Sequence, residues 1–260
     1  MEKSSLEQAR QWCTEALRPV SFSGAGLSAE SGIDTFRQSQ SASSQENENG
    51  SSPLWEKFDP VAMASQQGFR DDPEMVIDWY AHRRKTVAQA KPNAAHTALA
   101  DCANFKHVTQ NVDDLLERAG VTDSNVVHLH GTLGSDQFNS GCGYQSEIDM
   151  ANPPGLMQCP ECADSCRPSV VWFGESLPQD DWQTAMHWIT DCDLLLVVGT
   201  SGVVYPAAGL VELARESSAR IIFIDPAADA HDLQQKNQLE IHIQGTAAQV
   251  LPQILCADVA

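Results

Sequence analysis

The sequence predicts an α/β fold, a Rossmann-like doubly wound parallel sheet with a smaller inserted domain. Short, near-continuous apolar runs such as Leu194–Val198 and Ile221–Ile224 alternate with helical patterns, which is typical of parallel strands covered on both faces. A Gly-x-Gly-x-x-Ala turn at residues 24–29 follows the first apolar run, as in dinucleotide-binding units. Four cysteines lie between Cys142 and Cys166, and this segment does not follow the alternation of strands and helices.

The N-terminal elements follow from spacing and turn residues. Residues 4–17 carry apolar side chains at helical intervals, and Pro19 follows the expected end of that helix. The next apolar run ends at Ser23, and we expect a strand there, then a tight turn and a helix N-terminus that binds a pyrophosphate. In this reading Ala29 permits close packing of the helix on the strand. An ordinary strand-to-helix turn is the alternative.

Two segments interrupt the alternation and are predicted to form the smaller domain of a single 260-residue unit. Residues 38–104 begin with a polar stretch at 38–52, which we interpret as a mobile loop of a length typical of active-site lids. The segment continues as helices that start near Pro73 and Pro92. Residues 132–168 hold the cysteine cluster. The large part then comprises 1–37, 105–131 and 169–260, with strands expected at 105–109, 126–129, 170–173, 194–198, 221–224 and 239–243 and helices at 113–119, 180–190, 206–217 and 246–256.

Composition narrows the class of partner. The chain has 260 residues, 42% of them hydrophobic, which is enough for a full core. Its 16 Lys and Arg against 35 Asp and Glu give a net charge of -19, which opposes binding to nucleic acid or to an anionic membrane. No apolar stretch approaches the ~18 residues that a membrane helix needs. We therefore expect a cytoplasmic monomer that binds neither nucleic acid nor membrane.

Polar residues follow several of the predicted strands, where ligands of open parallel sheets bind. Gln110, Asn111 and Asp113 follow one strand, His130 follows the next, and Gly199, Thr200 and Ser201 follow a third. Asp113 suits a helix cap equally well, and a hydrogen-bonded structural role is the alternative for His130. Asp225 ends a further strand and suits ribose binding, or else a turn before Pro226.

The cysteines are spaced C-x16-C-x2-C-x3-C at Cys142, Cys159, Cys162 and Cys166. This is near the zinc-ribbon pattern of two short-spaced pairs, and the Cys159–Cys162 pair is its stronger half. The first pair is incomplete because Asn139 stands where a cysteine is expected. We expect a structural Zn²⁺ with Cys166 as the fourth ligand. A module held together without metal is the alternative.

Taken together, the motifs resemble those of the sirtuins, a family of NAD-dependent protein-lysine deacylases. Five stretches match family motifs in the family's order, and the likeness spans about residues 10–255. They are Gly24–Arg37, Thr109–Asp113, His130–Gly131, Val170–Glu175, and Gly199–Ser201 with Val204–Ala208.

The resemblance implies roles for individual residues. His130 would be the general base and Asn111 a second catalytic residue. The acyl carbonyl oxygen would attack C1′ of the nicotinamide ribose as nicotinamide leaves, and His130 would then take a proton from a ribose hydroxyl. Val171, Phe173, Gly174 and Glu175 would pair with the extended substrate peptide. The residues expected to bind NAD are Gly24, Ala25, Gly26, Ser28, Ala29, Glu30, Phe36, Arg37, Gln110, Asn111, Asp113, Gly199, Thr200, Ser201, Asp225 and Ala247.

Tyr80 and Arg83 resemble the Tyr-x-x-Arg pair of the desuccinylating sirtuins. A spacing of three places both on one helix face, where they would hold the distal carboxylate of succinyl- or malonyl-lysine. The expected products are nicotinamide, O-acyl-ADP-ribose and free lysine, with acetyl-lysine also accepted. A surface arginine beside a packed tyrosine is the other reading of this pair.

The chain also departs from the family. Asp34 stands where Pro is usual, Asp225 where Asn is common, and Asn139 where a zinc ligand is expected, and the 38–52 loop is long and polar. These departures bear on metal binding and on how tightly NAD is enclosed. Two other functions fit the same motifs: transfer of ADP-ribose to a protein or small nucleophile, and non-catalytic sensing of NAD or acyl-lysine.

Overall fold

The central feature of the computed structural model is a six-stranded, wholly parallel sheet with the strand order β3-β2-β1-β7-β8-β9. The structure describes residues 4–33, 63–138, 142–200, 206–227 and 238–255. The strands are β1 (Pro19–Ser23), β2 (Lys106–Thr109), β3 (Val126–His128), β4 (Gly131–Phe138), β5 (Gln145–Glu147), β6 (Cys166–Val170), β7 (Leu194–Val198), β8 (Arg220–Asp225) and β9 (Glu240–Gln244).

Helices cover both faces of this sheet, which confirms the predicted doubly wound class. Successive side chains of β7 point to opposite faces: Leu196 packs in one core with α1, α4 and α8, and Leu195 packs in the other with α6 and α7. The helices are α1 (Ser5–Glu15), α2 (Gln66–Asp71), α3 (Pro73–Gln89), α4 (Ala94–Ala100), α5 (Leu115–Ala119), α6 (Gln179–Asp191), α7 (Gly209–Glu216) and α8 (Ala247–Leu255).

Local sequence explains where several helices begin. Ser4 and Glu7 form a capping box at the start of α1, with the Ser4 hydroxyl accepting from the Glu7 amide at 3.3 Å. Pro73 occupies the first turn of α3, where its missing N–H costs nothing, and Asp72 caps it. Within the described residues, none of these helices has both the length and the apolar character needed to cross a bilayer.

Two predicted elements differ in the structure. The turn after β1 leads into two short 3₁₀ turns, Ala25–Leu27 and Ala29–Ser31, and not into a long helix. The segment 170–173, predicted as a strand of the parallel sheet, contributes only Val170, which ends β6. Strand β6 pairs antiparallel with β4 in a separate three-stranded sheet of order β5-β4-β6. Apolar character in this segment therefore reflects packing against the inserted helices.

The second sheet packs against the inserted helices α2 and α3. Phe69, Val76, Leu133 and Trp172 are buried together in one apolar cluster. The Arg84 side chain, 1% exposed, joins the two inserts because its guanidinium donates to the Leu133 carbonyl at 2.9 Å and lies 2.5 Å from the Asp136 carboxylate. The helical and cysteine-rich inserts, distant in sequence, thus form one lobe.

A tight crossing at Gly131 marks one of the points where the chain passes between the parallel sheet and this lobe. Gly131 has φ of +73°, and a Cβ placed there would lie 2.0 Å from the Ser169 carbonyl oxygen. Only glycine fits, because both the left-handed conformation and the close approach exclude a side chain. The crossing brings β4 and β6 together directly after His130.

Candidate functional site

The order of the parallel strands reverses between β1 and β7, so their carboxyl ends frame the crevice where such sheets bind ligands. The turns after the two strands touch. The Gly26 amide donates to the Gly199 carbonyl at 2.9 Å, and a Cβ on Gly26 would lie 2.5 Å from the Gly199 Cα. The glycines predicted to approach phosphates are thus required first for the contact between these two turns. Ala25 and Ala29 each begin one of the 3₁₀ turns beside it.

Ser28 is the centre of a buried hydrogen-bond network at this crevice. Its hydroxyl donates to the Asp113 carboxylate at 2.9 Å and accepts from the side-chain amide of Asn111 at 3.2 Å. The His96 Nε2 lies 3.4 Å from the same hydroxyl oxygen. Since His96 Nδ1 accepts from the Asn93 amide at 3.2 Å, the ring hydrogen is on Nε2 and points to Ser28. Burial lowers the pKa of His96 to about 4, so the ring is neutral.

Asp113 lies beneath this network. Burial raises the pKa of its carboxyl group, and hydrogen bonds from the Leu115 amide and the Ser28 hydroxyl partly oppose that rise. Both bonds favour the ionised form because their donors face its two oxygens. Leu115 is the first residue of α5 and Asp114 is its N-cap, so Asp113 bonds to the start of the helix from one residue before the cap.

His130 is held in the tautomer of a base. Its Nδ1 lies 3.1 Å from the Gln110 carbonyl oxygen, which can only accept, so Nδ1 carries the hydrogen and Nε2 has the lone pair. Burial lowers the pKa of this imidazole, while the bond to Gln110 raises it in part, so the neutral form is favoured at pH 7. Gln110 also accepts from the Thr200 hydroxyl at 2.8 Å, which ties the ends of β2 and β7 together.

Other predicted cofactor residues have contacts within the protein. The Glu30 carboxylate accepts from the Ala248 amide at 2.9 Å and so caps α8, in which Ala247 is the first, buried residue. The Asp225 carboxylate accepts from the Ala227 amide at 2.8 Å, which is the turn considered as its alternative role. Phe36, Arg37 and Ser201 lie outside the described residues, as does the 38–52 loop.

The Tyr80 and Arg83 side chains occupy one face of α3. Tyr80 is 2% exposed, and its hydroxyl oxygen accepts from the Trp172 indole N–H at 3.0 Å. Burial raises the pKa of Tyr80 to about 12, and the positive charge of Arg83 partly opposes this. The Arg83 guanidinium lies over the Trp79 ring, 4.8 Å from its centroid. The tyrosine is thus a neutral phenol beside a cation.

The segment from Val171 to Glu175 joins the His130 region to this face. The Val171 amide donates to the His130 carbonyl at 2.9 Å, and the Phe173 amide donates to the Ala64 carbonyl at 2.9 Å. The Phe173 side chain is 51% exposed, as a residue that contacts a substrate peptide needs to be.

Glu175, predicted to contact the peptide, has its carboxylate engaged within the protein. It accepts from Arg167 at 2.8 Å, from Gln66 at 2.7 Å and from the Trp172 amide at 2.9 Å. These bonds fix the turn at Gly174, whose φ is +86°. The side chain of Glu175 therefore shapes the segment, and its predicted pairing with the peptide, which would run through the backbone, stays a prediction.

Three of the four predicted metal ligands converge. The sulfur atoms of Cys142, Cys159 and Cys162 lie within 4.8 Å of one another, a fitting ligand set for a structural Zn²⁺. Among the described residues, Cys166 is outside this group, which corrects its prediction as a ligand. It lies in β6, 3% exposed, and burial raises the pKa of its thiol to about 11. Asn139, at the position of the expected fourth ligand, lies outside the described residues.

Sequence reasoning missed three residues that shape the site. His96 lies in an inserted helix, far from any strand end, and its only signal is its place three residues after the Asn93 cap. Trp172 stands inside a recognised motif but was given no role. His128 is the last residue of β3, and its contact with the Asn111 carbonyl depends on a loop path that the sequence does not reveal.

A ring nitrogen ready to accept a proton, placed where doubly wound sheets bind dinucleotides, indicates a nucleotide-dependent enzyme and not a purely structural α/β domain. The chain belongs to the Sir2 family, whose model matches residues 24–206.

Relatives and solved structures agree with that membership. The chain is similar to an NAD-dependent protein deacylase of Ralstonia nicotianae, with 42% identity over 86% of this chain and 87% of that protein. A protein of the same name from Pseudomonas putida is 39% identical over 98% and 95%. Among solved structures, a Sir2 homologue bound to NAD has a TM-score of 0.82 and 37% identity, covering 96% of this chain and 92% of that one.

Proposed function

We propose that this protein removes acyl groups from protein lysine side chains in an NAD-dependent reaction. The observation that carries the proposal is His130, whose Nδ1 bond to the Gln110 carbonyl leaves the Nε2 lone pair available as a base; the Gln110 side chain in turn accepts from Thr200 at the end of β7. The names of the similar bacterial proteins support the same activity.

The residues of the crevice fit the cofactor. The Ser28 network supplies a buried carboxylate, a carboxamide and a hydroxyl, the polar groups needed to bind an amide-bearing ring and a ribose. Asn111 and Asp113 would hold the nicotinamide end, and Gln110 and Thr200 would lie along the ribose. NAD, when bound, supplies an electrophilic ribose carbon and nicotinamide as the leaving group.

The protein's own contribution is to move one proton and to hold the reactants. His130 Nε2 would accept a proton from a ribose hydroxyl, a task suited to an imidazole that is neutral at pH 7. The Gln110 carbonyl keeps the ring in the required tautomer throughout. The exposed Phe173 and the adjacent backbone would orient the acyl-lysine peptide by strand-like pairing.

We further propose a preference for acidic acyl groups, succinyl and malonyl. The Tyr80 hydroxyl oxygen accepts from the Trp172 indole N–H, which leaves the hydroxyl hydrogen to donate to a ligand. The Arg83 charge acts on the same phenol. A donor hydroxyl and a guanidinium side by side suit a carboxylate at the end of the acyl chain.

Matched acetyl- and succinyl-lysine peptides test both proposals, with kcat/KM and products measured by mass spectrometry. Arg83→Met should lower kcat/KM for the succinyl peptide by about 10- to 100-fold, as expected for loss of a charge-assisted hydrogen bond, and should affect the acetyl peptide less. Arg70→Met, an exposed arginine on α2, is the matched control. An unchanged acyl preference would refute the acidic-acyl proposal. Turnover without O-acyl-ADP-ribose would favour ADP-ribosyl transfer instead.

The metal is tested separately. Purified protein should contain one equivalent of zinc, and Cys162→Ser should reduce that content because it removes one of three converging thiolates. Cys166→Ala should retain the zinc, since Cys166 lies outside the group. Loss of zinc from Cys166→Ala would show that the ligand set is different.

A further inference from the structure

His128 connects the candidate cofactor site to the protein beneath it. It ends β3, and its Nδ1 lies 2.9 Å from the backbone carbonyl oxygen of Asn111. Its Nε2 lies 2.8 Å from the carboxylate of Glu117 on α5. The ring therefore bridges the loop that carries Asn111 and the helix that follows it.

Both partners of the ring are acceptors. A carbonyl oxygen can only accept, and the Glu117 carboxylate accepts when ionised. A neutral imidazole has one N–H and satisfies one of these contacts, whereas the imidazolium satisfies both. The geometry thus selects the protonated ring.

The electrostatic surroundings favour the same state. Burial alone would lower the pKa of His128, but the hydrogen bond and charge of Glu117 outweigh it and raise the pKa above the ordinary value. The charged or titratable groups that act on the ring are Glu117 from α5, Asp113 from the loop after β2, and Asp181 from α6. All three are carboxylic acids, and burial raises the pKa of Asp113 and of Asp181.

The bond from His128 to the Asn111 carbonyl helps to hold Asn111 in place at the candidate cofactor site. The Asn111 amide N–H donates to the Thr109 hydroxyl at 3.0 Å, so the peptide units on both sides of this residue are held. Its side chain reaches the Ser28 hydroxyl at 3.2 Å. Loss of the carbonyl bond would leave the backbone anchored on one side only.

We propose that His128, as an imidazolium, is a positioning residue that holds Asn111 in the cofactor site and thereby sets the upper pH limit of turnover. The proposal rests on the deacylase function proposed above for its kinetic effect. The direction of the pH dependence follows from the charge. Both hydrogen bonds of the ring are present while it is protonated, and the pair is lost as pH rises through the pKa of His128 in the folded protein.

The direct measurement is an NMR titration of ¹⁵N-labelled imidazole rings in the full chain. His128 should titrate above the ordinary histidine pKa in the wild type and at lower pH in Glu117→Gln, because that substitution removes the negative charge and keeps an acceptor. His187, exposed on α6, is the internal reference. A His128 ring that titrates at or below the ordinary histidine pKa would overturn the proposal.

The kinetic measurement is kcat/KM for NAD as a function of pH. The wild type should lose activity on the alkaline side at the His128 pKa found by NMR, and Glu117→Gln should move that loss to lower pH by the same interval. His128→Asn should abolish this pH dependence, since its amide N–H overlays Nδ1 and donates at every pH. His128→Leu, without a donor, should lower kcat/KM on the order of tenfold near neutral pH. His187→Asn should match the wild type.

Identical alkaline limbs in the wild type, Glu117→Gln and His128→Asn would overturn the proposal. Absence of turnover in the wild type at all pH values would instead refute the deacylase function. In that event NAD affinity, measured by calorimetry across the His128 titration, decides the matter. An affinity that weakens as the ring deprotonates supports the proposal, and a constant affinity overturns it.

Discussion

Replacing Ser28 by alanine is expected to disturb the candidate site more than its small size suggests. The hydroxyl is 1% exposed, donates to Asp113 and accepts from His96 and Asn111. The half-buried Asn111 amide can turn to another partner, but His96 and Asp113 cannot. Each buried polar group left without its partner costs about 1–3 kcal/mol.

Two such groups are expected to lower the free energy of unfolding by about 2–6 kcal/mol. A water molecule that enters the site and replaces the lost hydrogen bonds would reduce this loss. For a chain of this size, ~3 kcal/mol corresponds to a Tm decrease of roughly 6–12 °C. Differential scanning calorimetry measures it, with Ser124→Ala, an exposed serine in a surface turn, as the control. NAD affinity should fall in the same variant. A Tm within about 2 °C of the wild type would refute the view that this network is tightly satisfied.

Three other outcomes follow from the structure. Gly26→Ala should separate the turns after β1 and β7 and abolish NAD binding, since its Cβ would lie 2.5 Å from the Gly199 Cα. An NAD affinity equal to that of the wild type, measured by calorimetry, would contradict this. Arg84→Met should cost about 3–5 kcal/mol in denaturant unfolding because it leaves the Asp136 charge buried and unpaired. The acid limb of kcat/KM should lie below ~6.5, the ordinary histidine pKa, because burial lowers the pKa of the His130 base in the free protein and activity is lost only as pH falls through that lowered value. A limb above that value would implicate another group.

Much of the fold is predictable because its signals are local. Strand β7 is a continuous apolar run and is buried along its whole length, as a central parallel strand must be. The strand ends then predict which polar residues meet, and the structure does bring Ser28, Asn111, Asp113 and Thr200 to one crevice. Asn111, Asp113 and Thr200 are predicted from the strand ends, whereas Ser28 is predicted from its place in the Gly24–Arg37 motif.

The rest depends on tertiary packing. The chain after Gly24 forms 3₁₀ turns because it must pass close to Gly199, which periodicity does not encode. Cys166 has a plausible ligand spacing, yet it is buried with Phe138 and Cys159 and its sulfur lies outside the group of three converging cysteines. His96 enters the site from a helix in the insert, and only the folded chain places it against Ser28.

The glycine crossing at residue 131 has a consequence for how substrate engagement reaches the reacting groups. The base at His130, the entry to the lobe and the Val171 backbone are successive links of one short chain, with the Val171 amide bonded to the His130 carbonyl. Under the proposed function, an extended peptide paired with this edge would act directly on the backbone of His130. Peptide binding and alignment of the imidazole would then be coupled through one hydrogen bond, that between Val171 and His130.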